Sequence, residues 1–458
     1  MASITSGAHR SSRSSASSVY LNIIVAQSNA GRIDAAGASV DVVIGAPNSI
    51  FGLMPASVEA MGNAKSEKFM RIMAYVLVAL LLPTAATQAA DQVKLGLFSE
   101  LSGPISPPGT EAKRAFDLAL EALGNKLGGL PVKVTVVDTK SNPSEAVQVA
   151  SKLIEDAKVD FVTGFAATNT MVPVWKSFTE AGIFAIGTLA GPLRFAGKDC
   201  NENGFVVSLT SDDWPAAVGK YMTDKGLKRV MFLGADYQAG YEHVEAAMRH
   251  FKGQAIGPLY TPLSQLDFSA EIARIRAEKP DAVFTFHVGA GGIAFSKQYA
   301  QAGLQKQIPF YTEDPTANPL TFPAQGDAAI GIIAGTNWHA GIDAPANKKF
   351  VASFIAKYGR EPATFAALAY DAISLIDAAI RDVGGRIEDK AAVRSALRKA
   401  DFQSVRGKFK FNNNHFPIQD LFIMEVVKDE KGAPRAVLKD VAIRDWHDPY
   451  HQECPMKW

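Results

Sequence analysis

From residue 91 the chain alternates short apolar runs with longer amphipathic stretches, and it does so twice. In the first series residues 93–98, 132–137, 160–162 and 183–186 read as strands. Between them 110–125, 144–157 and 170–181 carry apolar residues at helical spacing, among them Ala112, Ala115, Phe116, Ala119 and Leu123. In the second series 229–233, 282–286 and 308–311 read as strands, with helices at 214–225, 239–251, 268–278 and 292–302. Short connections between alternating strands and helices require βαβ units, because parallel strands need a crossover and the helix supplies it. The expected class is α/β, with two lobes, each a parallel sheet covered by helices on both faces. Helices at 344–358, 363–382 and 389–400 follow, then strand-like runs at 408–411 and 421–427 and a polar tail. Two such sheets in one chain suggest a cleft between them, since ligands bind at the carboxyl ends of strands in open α/β sheets.

The first ninety residues read differently. Ser and Arg crowd the start, and the short apolar runs up to residue 60 have no sustained period. We read 1–60 as an extension upstream of the native start. Residues 61–89 have the layout of a secretory signal: Lys65, Lys68 and Arg71, an apolar run of 11 residues at 72–82, then small residues including Thr87 and Ala89. That run falls short of the about 20 residues needed to span a bilayer. Cleavage is expected near Ala89 and Ala90, which makes the mature product an exported, soluble periplasmic protein. Export gives the 2 cysteines a meaning. In an oxidising compartment Cys200 and Cys454 can form a disulfide. It would close a loop of about 250 residues, worth about 5 kcal/mol in the chain-entropy model.

Charge and motifs exclude several activities. Lys+Arg 47 against Asp+Glu 46 leaves a net charge of +1, with no basic excess for nucleic acid. No nucleophile elbow, HExxH or Walker loop occurs. Gly289-Ala290-Gly291-Gly292 lacks the full dinucleotide fingerprint and reads as an ordinary strand-to-helix turn, so no cofactor is expected. His447, Asp448 and His451 read as solvated tail, so no metal site is expected either.

The informative positions are turns that leave strand ends. Residues 161–170 run from a strand into a helix start, where free N–H groups suit a carboxylate, and Thr168 and Asn169 add donors. Plain N-capping by Thr168 or Thr170 is the alternative. The turn 187–191 has glycines that allow backbone approach. Tyr237, leaving the first strand of the second series, is placed to cover a ligand or to pack locally. Glu313 and Asp314 leave a later strand, where an acid can hold an ammonium or cap a helix.

At this level of detail the chain resembles the periplasmic substrate-binding proteins of branched-chain amino acid ABC transporters, which have the type I solute-binding fold. The resemblance covers 91–458. It rests on Leu101-Ser102-Gly103-Pro104, the Gly164 turn before Thr168, Asp236-Tyr237 with Gly240, and Gln298 through Ala302-Gly303-Leu304. Ala369-Tyr370-Asp371-Ala372 and Arg406-Gly407 before Phe409 complete it. It implies two Rossmann-like lobes, three hinge crossings and a ligand gripped between the lobes. By its pattern Thr168, Leu189 and Gly191 hold the ligand from the first lobe, Asp314 aids an amine from the second, and Tyr237 closes over it. The chain departs from amino-acid binders at Gly191, where a hydroxyl residue is usual, and at Val288 beside His287, where a Tyr is common. The Cys200 segment and the stretch from Asp448 to Cys454 resemble a branch that also includes binders of aromatic carboxylates, and a carboxylate pocket at Thr168 with His287 opposite suits either ligand.

The expected organisation is lobe 1 at 91–211 and 339–415, and lobe 2 at 212–338 and 416–458 with the tail. The expected function is a monomeric receptor that delivers a small carboxylate, first a branched-chain amino acid and next an aromatic acid, to an ABC permease without doing chemistry. A sensor acting on a membrane regulator and an exported two-lobed enzyme are the rivals. Neighbouring permease genes would count against the first and an activity screen against the second.

Overall fold

The structure, a computed structural model, describes residues 45–46, 49–50 and 90–457. Gly45–Ala46 and Ser49–Ile50 pair as short antiparallel strands. The rest of the expected upstream extension and the expected signal segment lie outside the described residues. Thr87–Trp458 forms a compact unit of its own, and both lobes belong to it.

Lobe 1 opens with β1 (Val93–Ser99), α1 (Ser106–Ala122), β2 (Leu130–Asp138), α2 (Pro143–Ser151), β3 (Phe161–Gly164), α3 (Thr168–Glu180), β4 (Phe184–Gly187) and β5 (Gly204–Val206). The sheet order is β2-β1-β3-β4-β5, all parallel, with Lys126–Leu127 as a short antiparallel edge. Strands β3 and β4 are buried along their whole length, as are all but one residue of β1. That double-sided burial is why they read as unbroken apolar runs rather than alternating ones.

Lobe 2 comprises α4 (Asp213–Asp224), β6 (Arg229–Ala235), α5 (Gln238–His250), β7 (Gln254–Thr261), α6 (Ser269–Glu278), β8 (Ala282–Phe286), α7 (Gly289–Gln301), β9 (Phe310–Glu313) and β10 (Ile333–Thr336). The chain then returns to lobe 1 for α8 (Pro345–Tyr358), α9 (Thr364–Asp382) and α10 (Lys390–Lys399). Strands β11 (Lys410–Phe411), β12 (Pro417–Lys428) and β13 (Pro434–Trp446) close the series. The second sheet runs β7-β6-β8-β9-β10-β12-β11, with β13 paired to β12. Its first five strands are parallel, and β12 and β13 are antiparallel additions. In each lobe the strand order reverses beside the first strand, between β1 and β3 and between β6 and β8. The loops at those two switch points open a crevice.

Each sheet has a core on both faces. In lobe 1, α1, α9 and α10 cover one face and α2 and α3 the other. In lobe 2, α6 and α7 cover one face and α4 and α5 the other. The chain passes between the sheets after β5, after β10 and before β12. The tail makes a further passage: from β13 in the second sheet it returns to lobe 1, where Tyr450 packs on the cluster containing Phe165, Trp175 and Phe195. There Cys454 forms a disulfide with Cys200, their Cα atoms 5.7 Å apart.

Four strands were not legible as strands: β5, β7, β10 and β13. The last is an edge strand with Arg435, Lys439, Asp440 and Arg444 in it and no buried residue, so it reads as polar tail. Charged residues on an exposed edge are also what keeps such an edge from pairing with other chains. Helix α1 starts at Ser106 rather than 110, because prolines are tolerated in a first helical turn, where no N–H has an intrahelical partner, and Pro107 and Pro108 sit there.

Candidate functional site

The loops at the strand ends enclose a cavity of about 80 Å³ between the lobes. Lobe 1 contributes Ile105, Pro107 and Pro108 at the start of α1, Ala166, Ala167 and Thr168 at the start of α3, then Leu189, Ala190 and Gly191, with Leu209 and Phe365. Lobe 2 contributes Trp214, Tyr237, Ala239, His243, Phe286, Val288 and Gly289, and a loop with Pro315, Asn318, Leu320 and Thr321.

Four helices begin at this cavity. The N-caps of α1, α3, α5 and α7 are Ile105, Ala167, Tyr237 and Val288, and none has a side-chain capping bond. Helix N-termini carry a partial positive charge and N–H groups without intrahelical partners, so their convergence favours an anion. Proline at positions 107 and 108 removes two donors from α1 and leaves apolar surface in their place.

The turn that presents Thr168 is held from below. Glu100 is fully buried and accepts from the Ala166 N–H at 2.9 Å, the Thr139 hydroxyl at 3.2 Å and the Thr170 hydroxyl. Burial pushes its carboxyl up to about 7, against those hydrogen bonds. Gly164 has φ +116° and sits so close to the Phe98 carbonyl that a Cβ would overlap it; only glycine turns the chain there. Thr170, not Thr168, is the residue tied into this support. Among the described residues the Thr168 hydroxyl has no hydrogen-bond partner, and the side chain lines the cavity. Asn169 faces away, with Nδ2 donating to the Ser141 carbonyl at 3.3 Å.

Gly191 departs from a hydroxyl residue for a steric reason. A Cβ at this position would overlap the Leu209 carbonyl, so no side chain fits without moving the first passage between the lobes.

The lobe 2 wall is aromatic. The rings of His243 and Phe286 stack at 4.0 Å and 8°, Tyr237 lies parallel to Phe286 at 6.5 Å, and Trp214 is 6.4 Å from His243. His243 Nδ1 is 2.6 Å from Glu313 Oε2, and both side chains are buried. Burial pushes the Glu313 carboxyl up, and His243 pulls it the other way.

Of the expected residues, Thr168, Leu189, Gly191, Tyr237 and Val288 therefore meet at one cavity. His287, Glu313, Asp314 and Asn169 are not in its wall. His287 is buried between the hydroxyls of Thr261, at 2.9 Å, and Thr285, and burial pushes its imidazole down to about 4, so it is neutral. Asp314 accepts from Thr364 at 2.6 Å and Thr336 at 3.3 Å, and burial pushes its carboxyl up to about 7. Among the described residues no Asp, Glu, Lys or Arg lines the cavity, and no cluster of His, Cys, Asp and Glu could hold a metal. Sequence reasoning missed His243, Trp214, Phe286 and Phe365. A histidine on the otherwise apolar face of α5, beside Ala239, Val244 and Ala247, was the signal available for the first of them.

Comparisons with known proteins show what the chain is similar to. The chain is 29% identical to a solute-binding protein of an ABC transporter from R. palustris, solved in complex with benzoate. That likeness covers 80% of this chain and 100% of the other, with a TM-score of 0.75. A solute-binding protein from Rhodopseudomonas palustris BisB5, solved with 3,4-dihydroxybenzoic acid, is 25% identical over 78% of this chain and 99% of its own, with a TM-score of 0.70. The Leu/Ile/Val-binding protein homolog 6 of Brucella melitensis biotype 1 is 26% identical over 375 residues, 79% of this chain and 95% of that protein. No helix among the described residues is long and apolar enough to cross a membrane. The periplasmic binding protein family model matches residues 92–432, and with two lobes closing on one cavity the chain belongs to that family.

Proposed function

We propose that this protein is the receptor of an ABC transporter for a small aromatic carboxylate. The ligand is held between the lobes in the periplasm and passed to a permease. The observation that carries the reading is the lining itself: four uncapped helix N-termini and an aromatic wall, with no carboxylate among them. An amino acid would bring an ammonium group. Burying it without an acid is unfavourable, and the two acids nearest by sequence are engaged elsewhere, Glu313 with His243 and Asp314 with Thr364 and Thr336. A benzoate-like ligand needs donors for its carboxylate and a flat apolar slot for its ring, and Tyr237, Phe286 and Trp214 in the lining suit that slot. The two benzoate-type complexes among the similar structures support the same class. The Leu/Ile/Val-binding relatives keep a branched-chain amino acid as the second reading.

Calorimetric titration separates the two. Benzoate or 4-hydroxybenzoate is expected to bind at least about tenfold more tightly than leucine, isoleucine or valine, a difference of about 1.4 kcal/mol. The reverse order would remove the aromatic reading. Thr168→Ala is expected to weaken benzoate binding by about 1–3 kcal/mol, the cost of a lost hydroxyl bond to a buried carboxylate. Unchanged affinity would return Thr168 to a structural role.

Because both lobes contribute to the wall, a ligand contacts them together only when they are closed, and that differential contact is what drives closure. Direct bonds between lobes already fit this state: Thr364 of lobe 1 donates to Asp314 of lobe 2, and the Leu193 N–H to Glu242 at 3.4 Å. The passages after β5, after β10 and before β12 are the places where the lobes would hinge. Export through residues 61–89 completes the reading, and binding without chemistry is part of the proposal.

A further inference from the structure

Among the described residues His243 is the one histidine in the cavity wall, and only one of its nitrogens is occupied. Nδ1 is 2.6 Å from Glu313 Oε2, while Nε2, in a side chain that lines the cavity, has no hydrogen-bond partner among the described residues. The other Glu313 oxygen, Oε1, is buried and also has no partner. Among the described residues an ionised Glu313 would thus be answered by His243 alone. The ring is fixed in place by stacking on Phe286 at 4.0 Å, and the indole of Trp214 lies 6.4 Å away.

Among the described residues the surroundings hold no other cation. Helix α4 faces the pair with Trp214 and β8 with Phe286, both uncharged. From α5 and its cap come Glu242 and Tyr237, the latter's phenol raised chiefly by burial and further by Glu313. From β9 comes Asp314, next to Glu313. Every ionisable neighbour is therefore an acid or a phenol.

We propose that His243 and Glu313 form a proton-carrying dyad that reads the ligand's carboxylate, with Nδ1–H held on Glu313 and a second proton, taken from solvent on binding, placed on Nε2 and donated to the anion. The proposal rests on the aromatic-carboxylate reading above. The physical reason is charge balance. With a single proton on the ring the ionised dyad is net negative, and a ligand anion beside it would put two like charges in an apolar cavity. With the second proton the dyad is neutral and presents a charge-assisted donor. Glu313 does not touch the ligand. It is a positioning residue that fixes which nitrogen faces the cavity and holds the ring as imidazolium.

The sign follows from linkage: uptake of one proton on binding makes affinity fall as pH rises, by about tenfold per pH unit where uptake is complete. The test is calorimetric titration of the mature protein with benzoate from pH 6 to 9, in buffers of different ionisation enthalpy, which counts protons directly. Uptake approaching one proton per benzoate at pH 8, and its loss together with the pH slope in Glu313→Gln, is the expected result. Benzoate binding with no proton uptake overturns the dyad and leaves the ligand class standing, as does a Glu313→Gln variant with unchanged uptake. Failure of any arenecarboxylate to bind overturns the ligand class and the dyad together. Should the variant not fold, ¹⁵N spectra of the wild-type benzoate complex at pH 8 read the same state. Both His243 nitrogens protonated supports the dyad, and a neutral ring removes it.

Discussion

Replacing Cys200 and Cys454 together with serine is expected to lower the stability of the folded protein by about 5 kcal/mol, less whatever residual structure compacts the unfolded chain. The pair is 254 residues apart in sequence, so the bridge removes more conformational freedom from the unfolded chain than a short loop would. The native tail should survive the change, because other contacts hold it. Asn414 Nδ2 donates to Asp448 and to the Ala196 carbonyl, and Arg249 reaches the Tyr450 hydroxyl at 3.0 Å. The loss should therefore appear in the unfolding equilibrium and not as a rearranged native state. Urea denaturation of the double variant beside the oxidised protein measures it. A difference below about 1 kcal/mol would mean that the bridge constrains little of the unfolded ensemble, and the entropic account would fall.

How far the fold can be read from the chain depends on how each strand is buried. Residues 230–233 are apolar throughout, and 282–286 apart from Thr285, because both faces of a parallel sheet are covered, and they read as strands at once. β10 has only four residues, includes Gly335 and follows Gly331, so its pattern is too short to register. β13 has no buried face and reads as tail. At the candidate site, turn residues at strand ends were legible because the topology sends them to the crevice. Their facing direction was not. At the end of β8, Phe286 and Val288 line the cavity while His287 between them points into the core, as the two-residue alternation of extended chain requires. A one-residue difference in where the strand ends inverts the assignment. His243, Trp214 and Phe365 lie within helices, on faces whose apolar neighbours are core. That these faces meet a cavity is a tertiary fact with no local signal.

Two of the sequence marks, Asp371 and Arg406, have no part in the cavity, yet the structure brings them together at the junction of the lobes. Their side chains are 0% and 4% exposed, and Arg406 Nε donates to Asp371 Oδ2 at 3.0 Å. Asp371 also accepts from the Ser404 hydroxyl at 2.7 Å and the Val405 N–H at 2.9 Å. The guanidinium reaches onward to the carbonyls of Val207 and Ser208 on the first passage and to Gln419 at 2.7 Å on the third. Asn337, on the second, donates to the same Ser208 carbonyl at 2.8 Å and to Gln419 at 3.0 Å. One buried ion pair thus bonds to residues of two of the three passages, and Asn337 ties the other to the same partners.

Burial pushes the Asp371 carboxyl up and the Arg406 guanidinium down, so for each group the loss of water outweighs the attraction of the other. The pair is not a source of stability relative to apolar residues of the same size. Breaking it is another matter, because one charge then stays buried without its partner. Asp371→Ala is expected to cost about 3–5 kcal/mol for that reason, measured by thermal or urea denaturation. Asp371→Leu with Arg406→Met removes both charges and should recover part of the loss. It should not recover all, since the Val207 and Ser208 carbonyls lose a donor in the double variant. A cost of less than about 1 kcal/mol for Asp371→Ala would mean that water reaches Arg406 and that the junction is not dry. If the single variant is costly and the double variant restores full stability, the carbonyl contacts contribute nothing, and the junction is held by packing and by Asn337 and Gln419 alone.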